Sequence, residues 1–204
     1  FYYMYYHNQL VNTGKINDVG AYTRTNAPES YRAGIELQAD AKLAKWINVA
    51  GNISFSSNKI KDFTEYVDDY DNDNGVQKEN MYHNTDISFS PNTVASAGVS
   101  FIPVKNGEIN FQSKFVGRQF LDNTFHVSRS IDPYFVENIK CSYTILKILG
   151  KEVNFVFQVN NVFNKMYESN GYTFNYISDG KFTVENYYFP MAGINFMAAI
   201  NIKL

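Results

Sequence analysis

Cysteine is almost missing from this chain, with Cys141 the only one among 204 residues. One thiol forms no internal disulfide and supplies no thiolate metal cluster, so Cys141 reads as a small apolar strand residue. An excess of charge of either sign is also missing. Lys and Arg number 18, Asp and Glu 20, and the net charge is −2. The basic residues are scattered, so the electrostatic footprint of a nucleic-acid binder is absent. No apolar run reaches about 18 residues, which excludes a transmembrane helix. It does not exclude a transmembrane barrel, whose lumen-facing half is polar. Proline is scarce, five in all, and none interrupts the middle of a strand-like segment; Pro103 and Pro190 fall at ends, where proline is tolerated. Residue 1 is Phe rather than Met and no signal peptide follows. The simplest expectation is a chain that begins partway through a larger protein.

What the chain has is aromatics and alternation. Tyr and Phe number 16 and 17 against one Trp, a composition suited to pleated surfaces. In segment 189–204, Ile194, Phe196, Ile200, Ile202 and Leu204 alternate with Asn195, Met197, Ala199, Asn201 and Lys203. Period two means a strand with one apolar face. The same pattern fills 31–43, where Tyr31, Ala33, Ile35, Leu37, Ala39, Ala41 and Leu43 oppose Arg32, Glu36, Gln38, Asp40 and Lys42. It recurs over 46–58, 93–103, 108–118, 134–146 and 152–161. Residues 1–11 add an eighth strand of undetermined facing. Glu137 shares parity with Phe135 and Ile139. It is the main exception to an otherwise apolar face, and implies either a place near the outer rim or a register shifted by one.

The connections alternate in length. Short ones fall near 43–45, 103–107 (with Asn106-Gly107 as turn chemistry) and 147–151. Long ones fall near 12–30, 59–92, 119–132 and 164–187. Antiparallel neighbours then place every short turn at one end and every long loop at the other, as in outer-membrane barrels. On this reading the polar faces line a lumen and the apolar faces meet lipid. Tyr31, Trp46, Tyr134, Tyr187, Tyr188 and Phe189 form interfacial girdles, and Leu204 lies at the periplasmic end. A soluble β-sandwich gives no reason for such segregation.

Four stretches carry a resemblance to a known family. They are Tyr31-Arg32-Ala33-Gly34-Ile35-Glu36-Leu37, the segment 116–124 (Val-Gly-Arg-Gln-Phe-Leu-Asp-Asn-Thr), Asn160-Asn161-Val162-Phe163-Asn164-Lys165-Met166-Tyr167, and the terminal strand. In order and spacing the chain resembles the C-terminal part of the barrel of a TonB-dependent outer-membrane receptor. The penultimate-strand stretch resembles that family's N-L-F-(D/N)-K-x-Y segment, with Val162 at the Leu position. The family usually ends in an aromatic residue, where this chain has Leu204. The resemblance implies an all-β fold, an antiparallel transmembrane β-barrel segment of about eight strands from a barrel of about 22. The plug domain and the N-terminal strands lie outside residues 1–204.

The resemblance implies import of a nutrient complex across the outer membrane: an iron chelate, haem, cobalamin or a glycan. Implied partners are outer-membrane lipid and lipopolysaccharide, the protein's own plug, TonB, and a small-molecule ligand. No cofactor, catalytic residue or metal ligand is implied. Ligand-contact candidates are the loop aromatics Tyr66, Tyr70, Tyr82, Phe125, Tyr172, Phe174 and Tyr176. The bland alternative is that they pack the loops together or meet lipopolysaccharide. Lumen-facing candidates are Arg32, Glu36, Lys114, Arg118 and Lys140. Asp69, Asp71 and Asp73 alternate like a calcium loop, but Gly75 sits one place late and Asn80 stands at position twelve, so a solvated loop tip is preferred. His7, His83 and His126 lack ligand spacing. Asp122, His126, Ser128 and Ser130 share a loop without forming a catalytic set. The competing reading is a small self-contained eight-stranded barrel with a structural or adhesive role, which requires residues 1–11 to pair with 189–204.

Overall fold

The computed structural model describes residues 1–72, 76–148 and 151–203. Asp73, Asn74, Gly75, Leu149, Gly150 and Leu204 lie outside them, and with them part of the acidic run, the third short turn and the chain end. The strands are β1 (Tyr2–Ile16), β2 (Tyr22–Ala44), β3 (Ile47–Asp69), β4 (Gln77–Asp86), β5 (Thr93–Val104), β6 (Gly107–Val116) and β7 (Gln119–Phe120). They continue as β8 (Ser130–Ile131), β9 (Tyr134–Ile148), β10 (Lys151–Asn160), β11 (Glu168–Ser178), β12 (Lys181–Pro190) and β13 (Asn195–Lys203). One 3-10 turn, Val127–Arg129, precedes β8.

Eight strands form one continuous antiparallel wall in the order β1-β2-β3-β5-β6-β9-β10-β13. Cross-strand register turns the period-two pattern into rows. Leu37, Ile53, Ala95, Phe115 and Phe135 form one, and Ala41, Val49, Val99, Phe111, Ile139, Val159 and Phe196 another. Between them run Gln38, Asn52, Ser96 and Lys114, and then Lys42, Asn48, Ser100, Asn110, Lys140 and Gln158. Rows stay aligned because a slip of one residue would reverse every side chain. The apolar rows have no protein cover: Leu37 is 59%, Phe196 63% and Ile200 64% exposed. A surface of this kind needs hydrocarbon around it. Among the described residues no helix is long and apolar enough to cross a membrane; the apolar rows belong to strands.

Glu137 lies in the apolar rows with no register error. It faces Ser113 across β6 and β9, whose hydroxyl donates to its carboxylate. At the short-turn end, Trp46 meets Phe101 edge-on at 5.5 Å, as a girdle residue should. Tyr187, Tyr188 and Phe189 do not belong to the wall. They lie on β12, which among the described residues pairs only with β11.

The wall is open. Among the described residues β1 pairs with β2, β13 pairs with β10, and the two never meet. The self-contained barrel is therefore excluded: closure needs further strands between these edges. The terminal segment also differs from one unbroken strand. β12 ends at Pro190 and β13 starts at Asn195. Ile194 lies in the break, its N–H bonded to Asn164 Oδ1.

The short turns are tight, with Ala44 opposite Ile47 and Val104 opposite Gly107. Asn106 takes a left-handed φ of 65° in the second. The long connections are not irregular loops. β1 and β2 continue past the wall and close at 17–21; β3 continues to Asp69 and pairs with β4; residues 168–190 form the β11–β12 hairpin. Only 119–132 lacks a long hairpin. These extensions carry polar residues on both faces, which hides their period, yet pairing still satisfies their backbone groups. Pro28 consequently sits inside β2. It stands opposite Asn8, whose φ is 52°, and neither residue belongs to the pairing register. Proline is tolerated where the ladder is already interrupted.

Gly34 marks a close approach. A Cβ there would lie 2.6 Å from Phe55 O and 2.7 Å from Tyr2 Oη. Glycine leaves room for the Tyr2 ring to lie across the wall. Gly34→Val in the full-length protein should destabilise the barrel by about 1–3 kcal/mol through overpacking. Loss of the heat-modifiable electrophoretic band at a lower temperature would show it.

Candidate ligand-binding loop cluster

The polar extensions converge at the long-loop end of the wall. Their core is small: Val11, Ala27, Ile60, Phe63 and Ile87, with Tyr82 packed against them. Beside it lies a buried charged centre. Arg129, on the 3-10 turn, is 2% exposed. Its Nη1 donates to Glu65 Oε1 at 2.5 Å, Asp122 Oδ2 at 2.8 Å and Thr124 Oγ1 at 3.3 Å. Glu65 also accepts from Asn175 Nδ2 at 3.0 Å, Tyr82 Oη at 3.0 Å and Asn80 Nδ2 at 3.3 Å. The guanidinium stacks over the Phe182 ring at 5.3 Å. One network therefore joins β3, β4, the 119–132 segment, β11 and β12. Burial works against the charge on Arg129, but Asp122 and Glu65 outweigh it, and its pKa stands above the ordinary value. Burial first, and then the Glu65 carboxylate, push the Tyr82 phenol up to about 12.

Further ties fix the hairpin tips. Asp71 accepts the backbone N–H groups of Asp179 and Gly180, both at 2.7 Å. Asp69 accepts from Asp71 N and Asn72 Nδ2. Asp69 and Asp71 thus bind N–H groups of the hairpin tips. The asparagine-rich stretch after β10 is another fastening. Asn161 adopts φ 51° and is 3% exposed. Its amide donates to Lys165 O and Ala192 O, while its carbonyl accepts from Lys165 N. Tyr167 stacks on Tyr134 with centroids 4.5 Å apart. The motif turns the chain out of the wall and holds the return to β13.

The aromatic candidates fall into separate places. Tyr172, Phe174 and Tyr176 share the outward face of β11, whose opposite face buries Gly171, Thr173 and Asn175. Tyr187 stacks on Tyr172 at 4.9 Å, and Phe189 lies 5.9 Å from the same ring. Glu185 accepts from Tyr187 and Tyr176, and these hydrogen bonds hold its pKa below the ordinary value. Tyr70 meets Tyr176 edge-on. Tyr82 lines an open cavity of about 870 Å³. Tyr66 lines a separate one of about 200 Å³, on the Glu65–Asp122 side. Phe125 lies under Lys59 Nζ at 4.6 Å and against Phe120.

Of the lumen candidates, Glu36, Lys114 and Lys140 lie in the polar rows of the wall, paired with Ser54, Ser96 and Asn110. Arg32 shares that face and donates to Asn58 and Ser90. Arg118 does not: β6 ends at Val116, and Arg118 binds Ser130 Oγ and Asp132 above the wall. Among the histidines, His83 bonds Asp62 at 2.6 Å, His126 meets Tyr82 edge-on, and His7 meets Tyr5. Asp122 is held by Arg129 and Thr124, away from any serine–histidine pair. Glu65 and Arg129 had no sequence signal, since a lone charge in a polar stretch has no periodicity.

An open antiparallel wall with naked apolar rows, short turns at one end and interlocked hairpins at the other is part of an outer-membrane barrel of the receptor type. Residues 1–162 match the family model described as TonB dependent receptor-like, beta-barrel, and the chain belongs to that family. No curated protein matches the sequence. Among solved structures it is similar to the siderophore receptor PiuA from Acinetobacter baumannii, with TM-score 0.67 and 14% identity over 97% of this chain and 24% of that one. The ferric-catecholate import receptor Fiu from K12 E. coli gives TM-score 0.61 and 14% identity over 97% and 24%. The FrpB iron transporter from Neisseria meningitidis gives 0.55 and 16% over 97% and 27%. The chain thus spans about a quarter of the length of the structures it matches.

Arg129→Met should leave the Glu65 and Asp122 carboxylates buried without their counter-charge, at a cost of about 3–5 kcal/mol. Faster proteolytic cleavage within 119–132 and 168–190, with the wall intact, is the expected readout. A second outcome concerns pH. The folded Tyr82 phenol holds its proton more tightly than an ordinary one of pKa 10.0, so its contribution is complete below about pH 10 and is lost as pH rises through about 12. Tyr82→Phe should remove this alkaline loosening, followed by the same cleavage assay.

Proposed function

We propose that this wall belongs to a TonB-dependent transporter that imports an iron chelate across the outer membrane. The observation that carries the reading is the family membership, joined to a loop cluster that the Arg129 network ties into one unit. The three similar structures are a siderophore receptor, a ferric-catecholate import receptor and an iron transporter. Haem, cobalamin and glycans remain within the same transport class. On this reading the long-loop end is extracellular and the C-terminus periplasmic. Lipid and lipopolysaccharide cover the apolar rows.

Ligand capture falls to the loop aromatics. The face formed by Tyr172, Phe174 and Tyr176 with Tyr187 and Phe189 is a stack of rings with one hydrogen-bonded carboxylate, suited to a flat, partly aromatic ligand. Tyr66, Tyr70, Tyr82 and Phe125 serve more by packing the hairpins that present this face. Within the wall, Arg32, Glu36, Lys114 and Lys140 line the lumen and face a plug domain. A rearrangement of that plug, driven through TonB, opens the path. The chemistry assigned to the chain is binding and passage, without bond making.

Replacing Tyr172 and Phe174 by Ala should each weaken chelate capture roughly two- to tenfold, the worth of an aromatic contact. Growth of a deletion strain complemented by each variant, on a panel of ferric chelates as sole iron source, measures it. Unchanged growth of the uncomplemented deletion strain on every iron source would remove the iron reading.

A further inference from the structure

The cavity of about 870 Å³ in the loop cluster is bounded in an unequal way. On one side, five consecutive residues of β4 line it, Lys78, Glu79, Asn80, Met81 and Tyr82. Successive strand residues point to opposite faces, so a cavity that meets all of them runs along the strand edge. That edge is open: β4 pairs with β3 alone among the described residues. On the other side β12 presents alternate side chains, Phe182 and Val184. The floor carries Arg129, whose charge is already matched by Glu65 and Asp122.

We infer that this groove is a docking site for an extended peptide, which adds as a strand to the open edge of β4 and seats alternate side chains against Phe182 and Val184. The two walls favour a polypeptide over other ligands. An unpaired strand edge offers main-chain donors and acceptors at the spacing another strand requires, and only a peptide backbone repeats both groups at that spacing. The alternating apolar wall opposite supplies the selection of side chains. The lined stretch of β4 spans about 13 Å, four strand steps, and the cavity of about 870 Å³ has room for a short strand. Among the described residues the Arg129 network and the Asp71 clasp hold the β11–β12 hairpin beside the groove without pairing it to β4. Charges at Lys78 and Glu79, one of each sign, discourage self-association of copies through this edge. The site is separate from the ring stack on the other face of β11 and does not depend on its role.

The test uses the full-length protein in detergent and a fluorescent peptide of about eight residues, alternating Val and Thr with Lys at its ends. Binding is followed by anisotropy, and backbone protection by hydrogen exchange. Saturable binding is expected, with slowed exchange confined to residues 77–83. A peptide N-methylated at every second residue keeps its side chains but loses one row of donors, and should bind at least tenfold more weakly. Val184→Trp, which fills the groove from β12, should abolish binding while leaving heat-modifiable mobility unchanged. Equal binding of the N-methylated peptide, or protection elsewhere, would overturn strand addition. Full protection of residues 77–83 before any peptide is added would show the edge occupied by another part of the same protein and would also overturn it.

Discussion

Every backbone N–H and C=O that enters hydrocarbon needs a partner from the protein itself, because each unmatched group costs several kcal/mol there. The wall of this molecule follows from that constraint. Strands satisfy it only by pairing along their full length, and pairing fixes the register. Register then sorts side chains into rows, with Leu37, Ile53, Ala95, Phe115 and Phe135 on one face and Gln38, Asn52, Ser96 and Lys114 on the other. Even the one carboxylate among the apolar rows, Glu137, is met by a hydroxyl from the residue directly opposite. The hairpins above the wall inherit the register of the strands they extend, which brings Glu65 and Tyr82 to neighbouring pairs of β3 and β4.

Above the wall the organising force changes. The loop core is a handful of side chains, too small to hold four long extensions by apolar burial alone. Charge-assisted hydrogen bonds take over, with Arg129 at the centre and Asp71 at the tips. Such bonds are directional, so they set hairpin positions closely and leave grooves open between them. The fold therefore combines a continuous wall, specified by alternation, with a polar scaffold that fixes the hairpins and the grooves between them. The asparagine-rich stretch after β10 joins the two, since Asn161 fastens both the departing chain and the returning one.

Residues 31–43, 108–116 and 152–160 were legible as strands because one face meets an apolar medium and leaves a period-two trace. The eight-strand wall and the alternation of short and long connections followed from counting such segments. The long connections were misread as loops. Residues 59–69 form a strand whose buried face sets Glu65 between Phe63 and Val67, and in 168–178 the aromatic alternation covers only Tyr172, Phe174 and Tyr176, so the period is broken in one and short in the other. Arg118 follows the end of β6 at Val116, at the point where the pattern fades. The candidate site was legible only in part. Tyr172, Phe174 and Tyr176 share a face by simple parity, but their neighbours Tyr187 and Phe189 come from a different strand.

The sequence by itself determined the wall: its strand directions, its two faces, its polarity from turns to loops and its family. Those features are local, written in alternation and spacing, and need no knowledge of distant contacts. Only the tertiary structure decided that residues 1–11 and 195–203 stand at opposite edges. It alone brought Glu65, Asp122 and Arg129 together and left an edge of β4 unpaired beside Phe182. These depend on which hairpin lies against which, a choice made by a few long-range hydrogen bonds between residues that carry no periodic mark.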